Sequence, residues 1–168
     1  MMFTPGTVLI HPAHGPMSVR SVSKHRFPNG TTHECLDLEA LDTYALAITI
    51  PIDRYAEVGL RNVVRGADLD EVFDTLSSDT GEEPENWSRR YKANEEKMRS
   101  GSVVRLAEVV RDVLRRNETK PVSFGERRTL DRGMSQLSRE VFYSKSLDTV
   151  REAEQLIRDA ILDGHPAP

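Results

Sequence analysis

The spacing of apolar residues changes once along this chain, from a period of two to a period of 3.6 near Asp68, and that switch most restricts the folds open to it. Before the switch, short alternating runs are separated by turn residues. Segment 7–11 leads into Pro12-Ala13-His14-Gly15-Pro16, a turn by composition. Segment 17–23 alternates apolar with polar residues, as a half-buried strand does. Pro28-Asn29-Gly30 signals a hairpin into segment 33–41, where Cys35, Asp37 and Glu39 alternate with Leu36, Leu38 and Ala40. Asp42-Thr43 reads as another turn, and segment 45–50 as a further strand ended by Pro51. Four short strands in so few residues imply a small, strongly bent sheet or partial barrel, because one flat layer of that size cannot enclose a core.

Segment 52–65 reads as a transition that holds at most one helical turn around Asp53-Arg54-Tyr55. Beyond it the helical period persists. Asp68 with Glu71 resembles a capping box for a short helix that turns Leu69, Val72, Phe73 and Leu76 inward. Segment 77–85 is a polar, acidic loop. Pro84 and Asn86 mark the next helix start, and Gly101 its stop. Ser102 caps a helix with Val103, Leu106, Ala107, Val110, Val113 and Leu114 on one stripe. Ser123-x-x-Glu126 is a capping box ahead of Leu130, Met134, Leu137 and Val141. Thr149 with Glu152 opens a last helix with Val150, Ala153, Leu156, Ile157, Ala160 and Ile161 inward, and a frayed end is expected over 164–168. The chain is therefore α+β, a small β module followed by an all-α region of about five helices, with the boundary near residues 60–66.

The 168 residues carry a formal charge of −4, which speaks against tight, unaided DNA binding by the whole surface. The charge is blocked, however. Residues 66–85 hold eight Asp/Glu and no Lys/Arg, net −8, whereas residues 86–132 hold thirteen Lys/Arg against seven Asp/Glu, net +6. The basic block opens at the only tryptophan in the chain, Trp87, followed by Arg89, Arg90 and Lys92. Two readings of that tryptophan compete. Trp87, Tyr91 and Met98 lie at helical spacing and could head a buried stripe. A flat apolar group among phosphate-seeking cations also suits a junction between duplex and melted nucleic acid.

Catalysis finds no support in the residue pattern. His11-x-x-His14, near His25, His33 and Cys35, is the one metal-like grouping, but it offers no obvious third ligand; His14 is expected to shape the turn instead, and no metal is expected. Cys35, the only cysteine, cannot form an intramolecular disulfide, is expected to be buried, and fits a reducing cytoplasm. There is no nucleophile elbow, phosphate loop or dinucleotide fingerprint, so neither a cofactor nor a small-molecule substrate is expected. The carboxylates of residues 68–85 read as a solvated acidic face. The start lacks a signal core and no apolar run reaches membrane-spanning length, so no membrane partner is expected.

The run Glu82-Glu83-Pro84-Glu85-Asn86-Trp87-Ser88-Arg89-Arg90-Tyr91-Lys92 resembles the CarD/CdnL family of bacterial RNA polymerase-binding proteins. So do Gly101-Ser102-Val103, Ala107-Glu108-Val109-Val110-Arg111-Asp112 and Ser123-Phe124-Gly125-Glu126-Arg127-Arg128-Thr129-Leu130, and in the β module His11-Pro12-x-His14-Gly15, Ile50-Pro51 and Val58-Gly59-Leu60-Arg61. The resemblance implies that residues 1–62 form a Tudor-like (SH3-like) barrel that docks on the polymerase β subunit, and residues 66–164 a helical DNA-contacting domain. It implies that Trp87 is a wedge at the upstream edge of the transcription bubble. Arg89, Arg90 and Lys92, with Arg127 and Arg128, would hold the promoter DNA backbone. Two positions depart from the pattern. Where some members carry polymerase-gripping arginines, this chain has His25, beside Arg26, and Thr49.

The resulting expectation is a non-enzymatic transcription regulator that binds RNA polymerase and stabilises the promoter open complex. The alternative is a polymerase- or protein-binding adaptor that never touches DNA. A metal enzyme built on His11 and His14 is the third reading.

Overall fold

The computed structural model describes residues 3–41 and 46–164, which form an antiparallel sheet followed by helices, an α+β arrangement. The chain divides into two compact units, Met1–Val63 and Val64–Pro168. The turn expected at Asp42-Thr43 and the tail after Gly164 lie outside the described residues.

The first unit is one five-stranded sheet. Strands β1 (Val8–His11), β2 (Gly15–Arg26), β3 (Thr32–Ala40), β4 (Ala47–Pro51) and β5 (Arg61–Asn62) stand in the order β4-β3-β2-β1-β5, every pairing antiparallel. The alternation read over 17–23 breaks where Arg20 and Ser21 are both polar, and the structure shows why. A β-bulge falls between Val19 and Ser21, so Met17 faces Ala40, Val19 faces Leu38, and Val22 then faces Leu36. One extra residue shifts the phase and keeps all three apolar residues on the core side. Leu9, Met17, Val19, Leu36, Leu38, Ala40, Ile50 and Leu60 make that core, and Cys35 is buried.

The His11–Gly15 turn is shaped by His11 rather than by His14. His11 Nδ1 accepts from the Ala13 N–H at 3.0 Å and from the His14 N–H at 3.2 Å, and the two rings stack. Burial, reinforced by the neighbouring His14, lowers the His11 pKa. Among the described residues, no group of three or more His, Cys, Asp or Glu could hold a metal ion. After β4, a 3-10 turn (Ile52–Arg54) and helix α1 (Tyr55–Val58) lead through Gly59 to the two-residue β5, which alternation could not reveal.

The second unit holds helices α2 (Ala67–Ser77), α3 (Trp87–Arg99), α4 (Val103–Thr119), α5 (Phe124–Lys145) and α6 (Val150–Asp163). Four of the five starts obey side-chain capping. Asn86 accepts from the Ser88 and Arg89 N–H groups, Ser102 from Arg105, Ser123 from Glu126 and Thr149 from Glu152. The start of α2 does not. Its N-cap is Gly66 at φ +55°, without a side-chain cap, so the box read into Asp68 and Glu71 is absent. Both residues already lie inside the helix, where Asp68 favours the positive end of the dipole.

Core residues come from every helix except α3: Val72 and Leu76 of α2, the Val103–Leu114 face of α4, Leu130, Met134, Leu137 and Val141 of α5, and Ala153, Ile157 and Ile161 of α6. Val150 and Leu156, expected inward on α6, are exposed. Gly133 permits close passage of α4 and α5, since a Cβ there would stand 3.0 Å from Val110 Cγ2. The buried residues of α3 are polar, Arg90 and Asn94. Among the described residues no helix is long and apolar enough to cross a membrane.

The basic and acidic blocks meet inside this unit. Arg111 pairs with Asp112 at 2.7 Å and donates to the Thr75 carbonyl and the Ser78 hydroxyl. Arg115 donates to the Ser78, Leu76 and Ile161 carbonyls, and Arg116 pairs with Glu83. Three of the thirteen cations therefore hold the loop after α2 in place. Glu83, read as part of a solvated acidic face, is largely buried by its pairing.

Candidate nucleic-acid interface

Trp87 does not join the core. It is 48% exposed, and Tyr91, one turn later, is 36% exposed. The reason lies in the helix that carries them. Asn86 fixes the start of α3, so Trp87 occupies its first position while Arg90 and Asn94 face inward. The indole stacks on Tyr91, with centroids 5.7 Å apart and planes 19° apart. Its edge approaches the start of α5, where Trp87 Nε1 donates to Ser123 Oγ at 2.8 Å. A Cβ on Gly125 would stand 3.5 Å from Trp87 Cζ2 and 3.6 Å from Tyr91 Cε2, so both rings rest against that glycine.

The cations around Trp87 separate into two kinds. Arg89 and Lys92 are exposed, and their side chains have no ion-pair or hydrogen-bond partner among the described residues. Arg127 and Arg128 are exposed at the start of α5; Arg127 touches Asn117 Oδ1 at 3.3 Å, and Arg128 lies over the Phe124 ring, 5.9 Å from its centroid. Arg90 is different. Only 8% exposed, it donates through Nε and Nη2 to Glu126 Oε1 at 3.1 and 3.0 Å, and through Nη1 to the Pro84 and Glu85 carbonyls. Its expected contact with DNA backbone is corrected on that ground: every donating nitrogen of the guanidinium is engaged inside the unit.

Glu126 is the anion at the centre of this corner. Burial raises its pKa, but the Ser123 N–H, Arg90 and the Ser123 hydroxyl outweigh that effect, and the net shift is downward. The carboxylate thus stays ionised and clamps the start of α3 to the start of α5. Phe124, 78% exposed, was not singled out by the sequence pattern. Its position offered a signal: the residue just after a capping serine sits in the first turn, before the inward stripe begins at Leu130.

In the sheet unit, the structure gathers two of the three docking candidates. Asp37 Oδ1 receives His25 Nε2 at 3.0 Å and the Thr49 hydroxyl at 2.9 Å, while Oδ2 accepts from the Ser21 and Ser23 hydroxyls, each at 2.7 Å. The Ser23 bond first, then those of Ser21, Thr49 and nearby His25, bring the Asp37 pKa down to about 2 against the opposing effect of burial. Arg26, the third candidate, is exposed at the end of β2 and takes no part. Asp37 was missed because strand register, not spacing, brings three strands to one carboxylate.

A small antiparallel sheet joined to a helical unit with an exposed aromatic at a basic corner defines the class. Residues 71–158 match the family model described as "CarD, C-terminal domain". That match spans more than half of the chain, and the chain belongs to the CarD family. It is also 23% identical, over 130 residues, to a Bacillus subtilis (strain 168) protein named "Putative transcription factor YdeB", covering 77% of this chain and 84% of that one. The family and that relative's name together support transcription regulation as the process served.

Proposed function

We propose that this chain is a non-enzymatic cytoplasmic regulator that docks on the RNA polymerase β subunit and stabilises the promoter open complex. In this reading the sheet unit is a Tudor-like docking domain using His25, Arg26 and Thr49. Trp87 is the wedge at the upstream edge of the bubble, and Arg89, Lys92, Arg127 and Arg128 approach the DNA backbone. The observation that carries the reading is the exposure of Trp87, an aromatic that the chain could have buried, beside four exposed cations.

The acidic net charge fits such a role. Binding to DNA by itself is weak, and attachment to polymerase raises the local concentration to roughly the millimolar range. The wedge then acts on an equilibrium, because contact with the melted state and not with the closed one shifts population toward melting. Stacking against one base supplies about 1–3 kcal/mol, enough for a change of roughly tenfold or more.

Trp87→Ala tests this. With saturating protein and purified polymerase, the open-complex lifetime should fall by about tenfold. Folding stability should fall by only ~2 kcal/mol, roughly half of the ~3–5 kcal/mol that a core tryptophan costs, because about half of the side chain is buried. An unchanged lifetime would overturn the proposal.

A further inference from the structure

The indole edge that carries Nε1 is turned toward the start of α5, and what it meets there is a fixed group. Ser123 Oγ accepts from Trp87 Nε1 at 2.8 Å and from the Glu126 N–H at 3.2 Å, and donates to Glu126 Oε2 at 3.0 Å. One donor and two acceptor positions are the whole capacity of a hydroxyl, so this rotor has no freedom left. The carboxylate is fixed in turn. Its Oε2 also receives the Ser123 N–H at 3.1 Å, and its Oε1 receives Arg90 twice.

We infer that Ser123 is the positioning residue of Trp87, and that the capping box of α5 sets the angle at which the exposed ring is presented. Stacking on Tyr91 restrains the plane of the indole; the bond to Ser123 restrains its rotation within that plane. Arg90 then acts at two removes: it holds Glu126, Glu126 holds the hydroxyl, and the hydroxyl holds the ring. A ring ordered in advance loses less freedom on contact, and a contact that acts at one step of a helix needs its angle held to within about 10–20°. This inference rests on the reading of Trp87 as a wedge.

The test uses the full chain and two substitutions. Glycine caps a helix almost as well as serine but offers the indole no acceptor, so Ser123→Gly separates aiming from capping; Ser123→Thr keeps the hydroxyl. Trp87 is the only tryptophan, so fluorescence of the free protein reports on it alone. Ser123→Gly should raise acrylamide quenching and shorten the open-complex lifetime roughly two- to tenfold, the range of one neutral hydrogen bond. The melting temperature should hardly move, and Ser123→Thr should restore quenching and lifetime. In a Trp87→Phe background, which has no donor, Ser123→Gly should have no further effect on lifetime. An undiminished effect there, or wild-type quenching and lifetime in Ser123→Gly, overturns the inference. If Trp87→Ala shortens the lifetime and Ser123→Gly does not, only this inference falls; if Trp87→Ala does nothing, the wedge reading falls with it.

Discussion

Replacing Arg90 distinguishes a structural cation from a DNA-binding one. Arg90→Met keeps the length and apolar stem of the side chain and removes the charge. In the folded unit this deletes two bonds to Glu126 Oε1 and the bonds to the Pro84 and Glu85 carbonyls, leaving a buried carboxylate without its counter-ion. Breaking a buried pair on one side costs ~3–5 kcal/mol, because the remaining charge stays desolvated. For a helical unit of this size each kilocalorie moves the melting temperature by about 4–8 °C, so a fall of roughly 12–40 °C is expected. Scanning calorimetry of the full chain measures it. The double variant Arg90→Met/Glu126→Gln should recover part of the loss, since it no longer buries an unpaired charge. The same carboxylate, held by the Ser123 N–H and by Arg90, predicts an acid effect. With its folded pKa below the ordinary 4.5, Glu126 contributes stability that is complete above that value and is lost as pH falls through the folded pKa. A cation that merely held phosphate would behave otherwise, leaving the melt in place and weakening DNA contact alone. If Arg90→Met melts within a degree or two of the parent, the argument from burial is wrong.

Two further outcomes follow from charges elsewhere in the chain. Asp37, held to about 2 by the Ser23, Ser21, Thr49 and His25 contacts, gives stability that is present above the ordinary carboxylate value near 3.8 and lost as pH falls toward 2. Asp37→Asn should therefore be less stable than the parent near neutrality by about 1–2 kcal/mol, allowing for screening of a partly exposed group, with the gap closing below pH 3 in acid titrations followed by circular dichroism. The double substitution Arg127→Gln/Arg128→Gln should weaken polymerase-dependent DNA protection across promoters and flatten its dependence on salt by about two phosphate contacts, with the melting temperature unchanged; a salt slope equal to the parent's would remove both residues from the interface.

Much of the second unit was legible because helix starts are written locally. Asn86, Ser102, Ser123 and Thr149 each meet N–H groups two or three residues away, so the sequence holds both partners in one short window. The α2 start was misread because the carboxylates sat at the right spacing while Gly66, with a left-handed backbone, made the turn first. The hydrophobic stripes of α4 and α5 were recovered, and that of α6 only in part, since Val150 and Leu156 satisfy the period yet meet no neighbour that buries them. In the sheet, pattern placed the first four strands but neither the two-residue β5 nor the bulge after Val19, whose effect on phase depends on the partner strand.

By itself, then, the sequence determined the order of the first four strands and of helices α2 to α6, the division of charge and the place of Trp87 in the first turn of a helix. Tertiary structure decided the rest. Trp87 meets Ser123, and Arg90 meets Glu126, across thirty-six positions of chain in each case. Local signals reach about one helical turn, so they place two adjacent arginines on α3 without saying that Arg89 faces solvent and Arg90 a buried carboxylate. Packing of α3 against α5 makes that distinction, and it separates the cation that holds the corner together from those left free around it.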